Sequence, residues 1–302
     1  MKTFFRNDVT ATDSIYVATK DPSGPNRDYL EKGRSFIEHI WQNCQQFVDP
    51  DAAERATKDL ASVFWELYLA YALSRAGITL VPRSDRVPKC EGPDLLSRSP
   101  DVWLEAVMPT NGDGPDALKT PEVGKSFRIP TNDFVLRLRS VIETKAAQIQ
   151  KYTDAGYIKK GQAAIVAVSS ARLEFQFNEL PVPRIVRAVF GVGDVGIEID
   201  RETRTVVGHF VEHRDHIVKV SGKSIDTGVF LDSHYAHVSA VVYCASNWVS
   251  HPEQPGEDFI LVRNPHASTP IPEGWFPSAV EYCEDAGLLK RTQPETGRPT
   301  SG

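Results

Sequence analysis

One stretch of the chain, SVFWELYLAYAL at 62–73, contains a single charged residue, Glu66. Its apolar residues cover the whole circumference of a helix, which indicates a helix that is buried on all sides. Other elements must therefore cover this helix, and a lone carboxylate within it needs a cation, a metal ion or hydrogen bonds. The alternative for Glu66 is a place at the helix edge, where it reaches solvent or pairs with an arginine.

The order of elements around this helix predicts an α/β fold. Helical spacing over 35–48 precedes the apolar helix, which we expect to run over 52–77 and to end at Gly77. A Pro- and Gly-rich loop at 109–131 leads to a long predicted helix. Apolar runs predict strands at 78–83, 93–98, 102–108 and 162–170, and the long helix is predicted at 132–155. Helix, three strands, helix and strand in that order are typical of a sheet flanked by helices.

We expect residues 1–302 to form a single domain, because no Gly/Ser linker, repeat or low-complexity break interrupts them. The polar, turn-rich residues 1–35 predict a flexible N-terminal arm, and the composition of 291–302 predicts a disordered tail. Residues 171–290 contain short strand-like runs and predict a β-rich extension of the same unit or a second layer. We expect no separate active site in this extension.

Composition excludes several classes of protein. No stretch approaches the roughly 18 apolar residues of a membrane span, and MKTFFRNDVTATD contains no long apolar run, so we do not expect a secreted protein. The four cysteines are widely spaced without a CxxC pair, which argues against a structural zinc site and favours reduced thiols in the cytoplasm. The net charge of −6 does not indicate a polyanion-binding protein as a whole, although a local basic patch can still bind nucleic acid.

Two further acids lie in apolar, strand-like surroundings. Asp94 follows Pro93 at the start of one predicted strand, and Glu105 lies within VWLEAVM. If these strands are neighbours, the two carboxylates can lie close together, where they repel each other unless a divalent cation lies between them. Mg²⁺ commonly binds one or two carboxylates together with water and phosphate oxygens. The alternative is that both acids are solvated residues on the surface of a hairpin.

The three acids in this order form a pattern that resembles the PD-(D/E)xK nuclease superfamily. The matching residues are Glu66 in a helix, Asp94 in GPD and Glu105 in LEAV, within residues 55–170. The resemblance implies a restriction-endonuclease-like mixed sheet flanked by helices, with Asp94 and Glu105 holding Mg²⁺ (or Mn²⁺). By the same resemblance, Glu66 completes the acidic cluster as a further metal ligand or holds a second ion or a water. It also implies a metal-dependent hydrolase that cuts phosphodiesters, most simply in DNA.

The sequence departs from this superfamily where a lysine is expected two residues after the strand glutamate. Residues 105 and 107 face the same side of a strand, and position 107 is a valine. Either the lysine has moved to another element, or the fold is retained without catalysis. Lys145, Gln148 and Tyr152 share one face of the long helix and border its apolar stripe. Lys145 or Gln148 is therefore the candidate replacement, although both could also belong to a solvated polar face.

The Gln148-x-x-x-Tyr152 spacing resembles a motif of exonucleases of the bacterial recombination-repair type. Residues 137–160 contain six Lys/Arg and two acids, so this segment is a candidate binding site for a phosphate backbone. The candidate nucleic-acid-binding residues are Arg137, Arg139, Lys151 and Tyr152. The expected partner is nucleic acid, no membrane is expected, and a homodimer is compatible with the sequence. The alternative functions are a catalytically inactive nuclease-fold protein that binds nucleic acid or protein, and an α/β protein whose acids are incidental.

Two other motifs carry less weight. His209, His213 and His216 lie in a predicted strand and turn, a spacing that does not bring the imidazoles together. The GxGxxG at 191–196 lacks the following helix that a dinucleotide-binding loop requires, so we expect its glycines to serve turns or bulges.

Overall fold

A seven-stranded mixed sheet organises the chain in the computed structural model, which describes residues 3–86, 91–177, 180–285 and 288–293. The helices are α1 Ser14–Lys20, α2 Arg27–Cys44, α3 Ala52–Arg55, α4 Leu60–Arg75, α5 Thr131–Asp154 and α6 Arg184–Phe190. The strands are β1 Leu95–Ser97, β2 Val102–Val107, β3 Ala163–Ser169, β4 Val192–Ile199, β5 Val206–His213, β6 His216–Val218, β7 Ser224–Asp226, β8 Ala240–Cys244, β9 Ile260–Arg263, β10 Val280–Asp285 and β11 Leu288–Thr292. The predicted α/β class is confirmed.

The strand order in the sheet is β1-β2-β3-β8-β9-β10-β11. β1 and β2 form an antiparallel hairpin, and α5 carries the chain across to β3, which runs parallel to β2. The strand predicted at 78–83 is wrong, since it contributes one isolated bridge between Leu80 and Ser97. Pro82 has no N–H to donate to a ladder, and the chain enters a 3-10 turn at Arg83–Asp85.

Helices cover both faces of the sheet. Val102 and Leu104 of β2 point to one apolar layer, which contains α4, while Trp103 and Val107 point to the other, which contains α5. The indole N–H of Trp65 in α4 donates to the carbonyl of Ala167 in β3 at 3.0 Å. The nearly continuous apolar surface of α4 is thus explained by its position between the sheet and the other helices.

The helix predicted over 52–77 is divided by a cap. The side chain of Asp59 accepts a hydrogen bond from the Ser62 N–H at 3.0 Å and begins α4 at Leu60. Such a cap stabilises a helix start by about 1 kcal/mol. Residues 52–55 therefore form the separate helix α3, which places Arg55 beside α4.

The prediction of a flexible arm over 1–35 is wrong for the residues that the structure describes. Phe4 and Tyr16 are fully buried, and the Tyr16 hydroxyl accepts from the Arg6 N–H at 2.8 Å. Asp13 caps α1 and also accepts from the Leu60 N–H at 2.8 Å, which ties this segment to α4. Buried aromatic side chains stabilise the segment despite its polar, turn-rich composition. At the other terminus, β11 extends to Thr292, and residues 294–302 of the predicted tail lie outside the described residues.

The region 171–290 both extends the sheet and adds separate hairpins. β8, β9 and β10 belong to the main sheet, whereas β4 pairs with β5 and β6 with β7 in two-stranded sheets. The helix α6 was not predicted, although Pro183 before it and Gly191 after it are usual helix-boundary residues.

The glycines at 191–196 serve the backbone. Gly191 ends α6 with a φ of 62°, in the left-handed region that favours glycine. A Cβ at Gly196 would lie 2.3 Å from the exposed Phe210 ring, so a larger residue there would require that ring to move. In the described parts of the chain, no helix is both long and apolar enough to cross a membrane.

Candidate functional site

The two strand acids lie opposite each other where the β1–β2 hairpin opens. Leu95 pairs with Leu104, so continuing this antiparallel register by one residue places Asp94 opposite Glu105. Side chains at directly opposed positions have Cβ atoms about 5 Å apart. One Asp94 carboxylate oxygen accepts from the Ala106 N–H at 2.7 Å, which holds the acid against β2.

These acids line a cleft of about 600 Å³ at the edge of the sheet, between the α4 and α5 layers. The acidic residues that line it are Asp49, Glu66, Glu91, Asp94 and Glu105. The basic residues that line it are Arg55, Arg83 and Lys145. The three acids singled out in the sequence therefore reach one cleft, and acids outnumber cations in its wall.

Glu105 is the most buried acid of the cleft, with 3% of its surface exposed. Lys145 donates to its Oε1 at 2.6 Å, while its Oε2 is buried without a hydrogen-bond partner. Burial raises the pKa of Glu105, and the attraction of Lys145 opposes that rise. The carboxylate thus has one oxygen paired with Lys145 and one buried oxygen without a hydrogen-bond partner.

Lys145 belongs to a chain of hydrogen bonds along one face of α5. Its Nζ also donates to Gln148 Oε1 at 3.1 Å, and Gln148 Nε2 donates to the Tyr152 hydroxyl at 2.5 Å. Burial lowers the pKa of Lys145, but attraction and hydrogen bonding to Glu105 outweigh this, and the net pKa is raised. The ammonium therefore stays charged at neutral pH.

Asp94 is coupled to the same group of charges. Burial, followed by repulsion from Glu105, raises the pKa of Asp94 from 3.8 to about 7. The hydrogen bond from Ala106 and the charge of Lys145 act in the opposite direction. Near neutral pH the pair therefore carries less than its full formal charge, and a cation between the two carboxylates would favour ionisation of both.

Glu66 has a protein partner of its own. Both of its oxygens accept from the Arg55 guanidinium, at 2.9 and 2.7 Å. Burial raises the pKa of Glu66 to about 7 even though Arg55 lowers it, and the Asp94 charge adds to the rise. The contacts of Glu66 therefore agree with the alternative drawn from the sequence, in which it pairs with an arginine.

Two buried arginines that sequence reasoning missed support the Asp94 backbone. The Arg86 guanidinium donates to the carbonyls of Phe47, Val81 and Asp94, and Arg86 is 2% exposed. Arg83 donates to Asp49 at 2.6 Å and to the Pro93 carbonyl at 3.4 Å. A signal existed in two arginines within VPRSDRVP, but their partners lie in distant parts of the chain.

Asp94 and Glu105 are the residues that could hold a divalent cation. Across the described ranges, no group of three or more His, Cys, Asp or Glu side chains is arranged to hold a metal ion. Two carboxylates are nevertheless compatible with Mg²⁺, which completes its shell with water or phosphate oxygens. The unpartnered Oε2 of Glu105 fits this ligand chemistry, whereas both oxygens of Glu66 are already engaged by Arg55.

The remaining candidate residues are divided between the cleft and other surfaces. Gln148 and Tyr152 line the cleft, and Lys151 is exposed on α5 next to Tyr152. Arg137 donates to the Asp116 carbonyl at 3.2 Å, and Arg139 donates to the Asp226 carbonyl and to Glu143. Neither arginine lines the cleft, so the structure does not bring these two together with the acids.

The three histidines remain apart. His209 and His213 are four residues apart on β5, which corresponds to about 13 Å along a strand. His216 begins β6 and pairs with Asp215 at 2.7 Å.

No family model, curated protein or solved structure matches this chain.

Proposed function

We propose that the chain is a metal-dependent nuclease with a PD-(D/E)xK-like site, in which Lys145 of α5 replaces the missing strand lysine. The contact of 2.6 Å between Lys145 and Glu105 carries this proposal. Val107 faces the same apolar layer as α5, so the helix supplies its cation to the face of β2 where the lysine is absent.

The arrangement of elements supports a restriction-endonuclease-like fold. α4 precedes the antiparallel β1–β2 hairpin, and α5 then leads to β3, parallel to β2. This order places Asp94 and Glu105 at one edge of the sheet, with a helix on each face. Strands β8, β9, β10 and β11 extend the sheet on its far side.

Asp94 and Glu105 would hold Mg²⁺ (or Mn²⁺), which would polarise a phosphodiester and lower the pKa of a bound water. Lys145 would place positive charge beside the reacting phosphate, where negative charge develops. Gln148 orients Lys145 through its Oε1. Arg86 and Arg83 fix the backbone at Asp94 and Pro93, so the acid keeps its position when its charge changes.

Val107 also supports a second candidate function, binding of nucleic acid without cleavage. Its apolar side chain packs against the α5 layer where a catalytic amine is expected. In this alternative, the Lys145–Glu105 ion pair is a structural replacement for the lost site.

The test is incubation of the purified protein with linear, nicked and single-stranded DNA in Mg²⁺ or Mn²⁺. Glu105→Gln and Lys145→Met should each lower the cleavage rate by about 10²-fold or more. The matched controls Glu202→Gln and Lys223→Met change exposed residues outside the cleft and should cleave at the wild-type rate.

The outcomes separate the candidates. Cleavage that persists in Glu105→Gln would refute the proposed site. Cleavage that depends on Glu105 and not on Lys145 would retain the nuclease and refute the relocation of the lysine. DNA binding without cleavage in either metal would favour the binding protein.

A further inference from the structure

Two tyrosines form a pair of rings beside the acids of the cleft. Tyr152 lies near the end of α5 and Tyr157 lies in the connection to β3. Their ring centroids are 6.1 Å apart, with an angle of 38° between the ring planes. Both residues line the cleft that contains Asp94 and Glu105, and both are half-buried.

The hydroxyl groups of these rings are held by neighbouring polar side chains. Tyr152 accepts from Gln148, and Tyr157 donates to Glu91. The hydrogen bond to Glu91 raises the pKa of Tyr157, and burial raises the pKa of Tyr152. Both rings are therefore neutral phenols at neutral pH with their polar ends engaged. Tyr152 also packs against the apolar layer that contains α5, but both residues are only half-buried, so part of each remains open to the cleft.

The charges around the tyrosines define what such a ligand would be. Acids outnumber cations in the wall of the cleft, whereas the exposed charged residues that neighbour the tyrosines in the chain are three lysines and one acid: Lys151, Lys159, Lys160 and Asp154. A ligand with an apolar planar group and a negatively charged backbone suits this combination. A nucleic acid strand has both features, because its bases stack on aromatic rings while lysines contact its phosphates.

The base that stacks must be unpaired. In a duplex, the faces of each base are covered by its neighbours, so aromatic side chains reach bases mainly in single strands, loops and ends. We propose that Tyr152 and Tyr157 form a stacking platform for an unpaired base, so that the cleft takes single-stranded DNA or a frayed end in preference to an intact duplex. This inference rests on the proposed function, since it names the form of nucleic acid that the site binds.

The contrasting explanation is that Tyr157 only anchors the α5–β3 connection. In that case its hydrogen bond to Glu91 is what matters, and removal of the hydroxyl should be as harmful as removal of the ring. If Tyr157 stacks on a base, removal of the ring should weaken binding and removal of the hydroxyl alone should not, because a phenylalanine retains the aromatic face.

The experiment measures fluorescence anisotropy of a labelled single strand and of a blunt duplex of the same sequence, in Ca²⁺ at fixed salt. Tyr157→Ala should weaken single-strand binding about tenfold and duplex binding less than twofold, and Tyr157→Phe should stay within twofold of wild type for both. Tyr29→Ala removes a tyrosine that is 51% exposed and outside the cleft, and it should change neither. Circular dichroism melts establish that each variant is folded.

Each other result overturns the inference. Equal weakening by Tyr157→Ala and Tyr157→Phe would assign Tyr157 to anchoring, and equal loss for both DNA forms would remove the preference for unpaired bases. If Tyr157→Ala binds DNA as wild type does, and the wild-type protein cleaves DNA, the platform would be refuted and the proposed nuclease function would be retained. Wild-type protein that neither binds nor cleaves any DNA would refute both.

Discussion

Replacement of Lys145 by methionine tests the central contact of the site. Its Nζ lies 2.6 Å from Glu105 Oε1, with side-chain exposures of 19% for the lysine and 4% for the glutamate. The other oxygen of Glu105 already lacks a partner. In Lys145→Met the carboxylate would be buried with neither oxygen compensated, while the methionine would preserve most of the volume of the lysine.

The size of the effect depends on whether Glu105 stays ionised. Removal of one partner from a buried ion pair costs about 3–5 kcal/mol in the free energy of unfolding. Glu105 can avoid part of this by binding a proton, because burial already raises its pKa and the loss of Lys145 raises it further. The folded state then binds more protons than the unfolded state, so stability falls as the pH rises above the unfolded pKa of 4.5.

We therefore expect Lys145→Met to lose about 3 kcal/mol at pH 8.5 and about 1 kcal/mol at pH 5. Urea unfolding followed by tryptophan fluorescence at both pH values measures the difference. Glu105→Gln added to Lys145→Met removes the uncompensated charge, so the double variant should recover most of the loss at pH 8.5. Lys223→Met, which removes an exposed lysine, should change stability by less than about 0.5 kcal/mol.

A loss that is equal at the two pH values would refute the reasoning, since it would assign the effect to packing rather than to charge. Failure of Glu105→Gln to relieve the loss would refute it independently. A double-mutant cycle then gives the coupling free energy of the pair, which should exceed the value of at most about 1 kcal/mol that is typical of exposed pairs.

Two further predictions concern the residues around Asp94. The pKa of Asp94 is raised from 3.8 to about 7, so its ionisation destabilises the folded state as pH rises between these values. The free energy of unfolding of Asp94→Asn should therefore increase by about 1–2 kcal/mol relative to wild type between pH 4 and pH 8, measured by urea unfolding without metal. This is less than the full pKa shift would give, because the carboxyl faces the open cleft. A constant difference between the two proteins across that range would contradict this expectation. Arg86→Met should destabilise the fold by about 3 kcal/mol or more in thermal and urea unfolding, because three carbonyls lose a buried donor. Arg86→Lys should recover part of this loss of stability. Equal stability of the two variants would contradict a role for the charge.

Much of the fold around the site could be predicted because its signals are local. The apolar circumference around Glu66 required a buried helix, and α4 lies between the sheet and other helices. The apolar runs of β2 and β3 and the periodicity of α5 gave element bounds within a residue or two of those observed. The helical spacing of Lys145, Gln148 and Tyr152 also required these side chains to share a face.

Other features could not be predicted, because composition does not identify distant partners. The residues before α2 have the polar, turn-rich composition of a loose arm, yet Phe4 and Tyr16 are buried. The strand expected at 78–83 was lost because the chain turns at Pro82 and commits Arg83 and Arg86 to carbonyls and acids elsewhere in the fold.

The sequence by itself determined that three acids lie in surroundings unsuited to isolated charge, and that a polar stripe follows the buried face of α5. Only the tertiary structure decided which cation meets which acid. Arg55 is 11 residues from Glu66 in the chain, and Lys145 is 40 residues from Glu105. Local periodicity sets the face on which a side chain lies, whereas the packing of helices against the sheet sets the distance between charges, and that distance determines the chemistry available in the cleft.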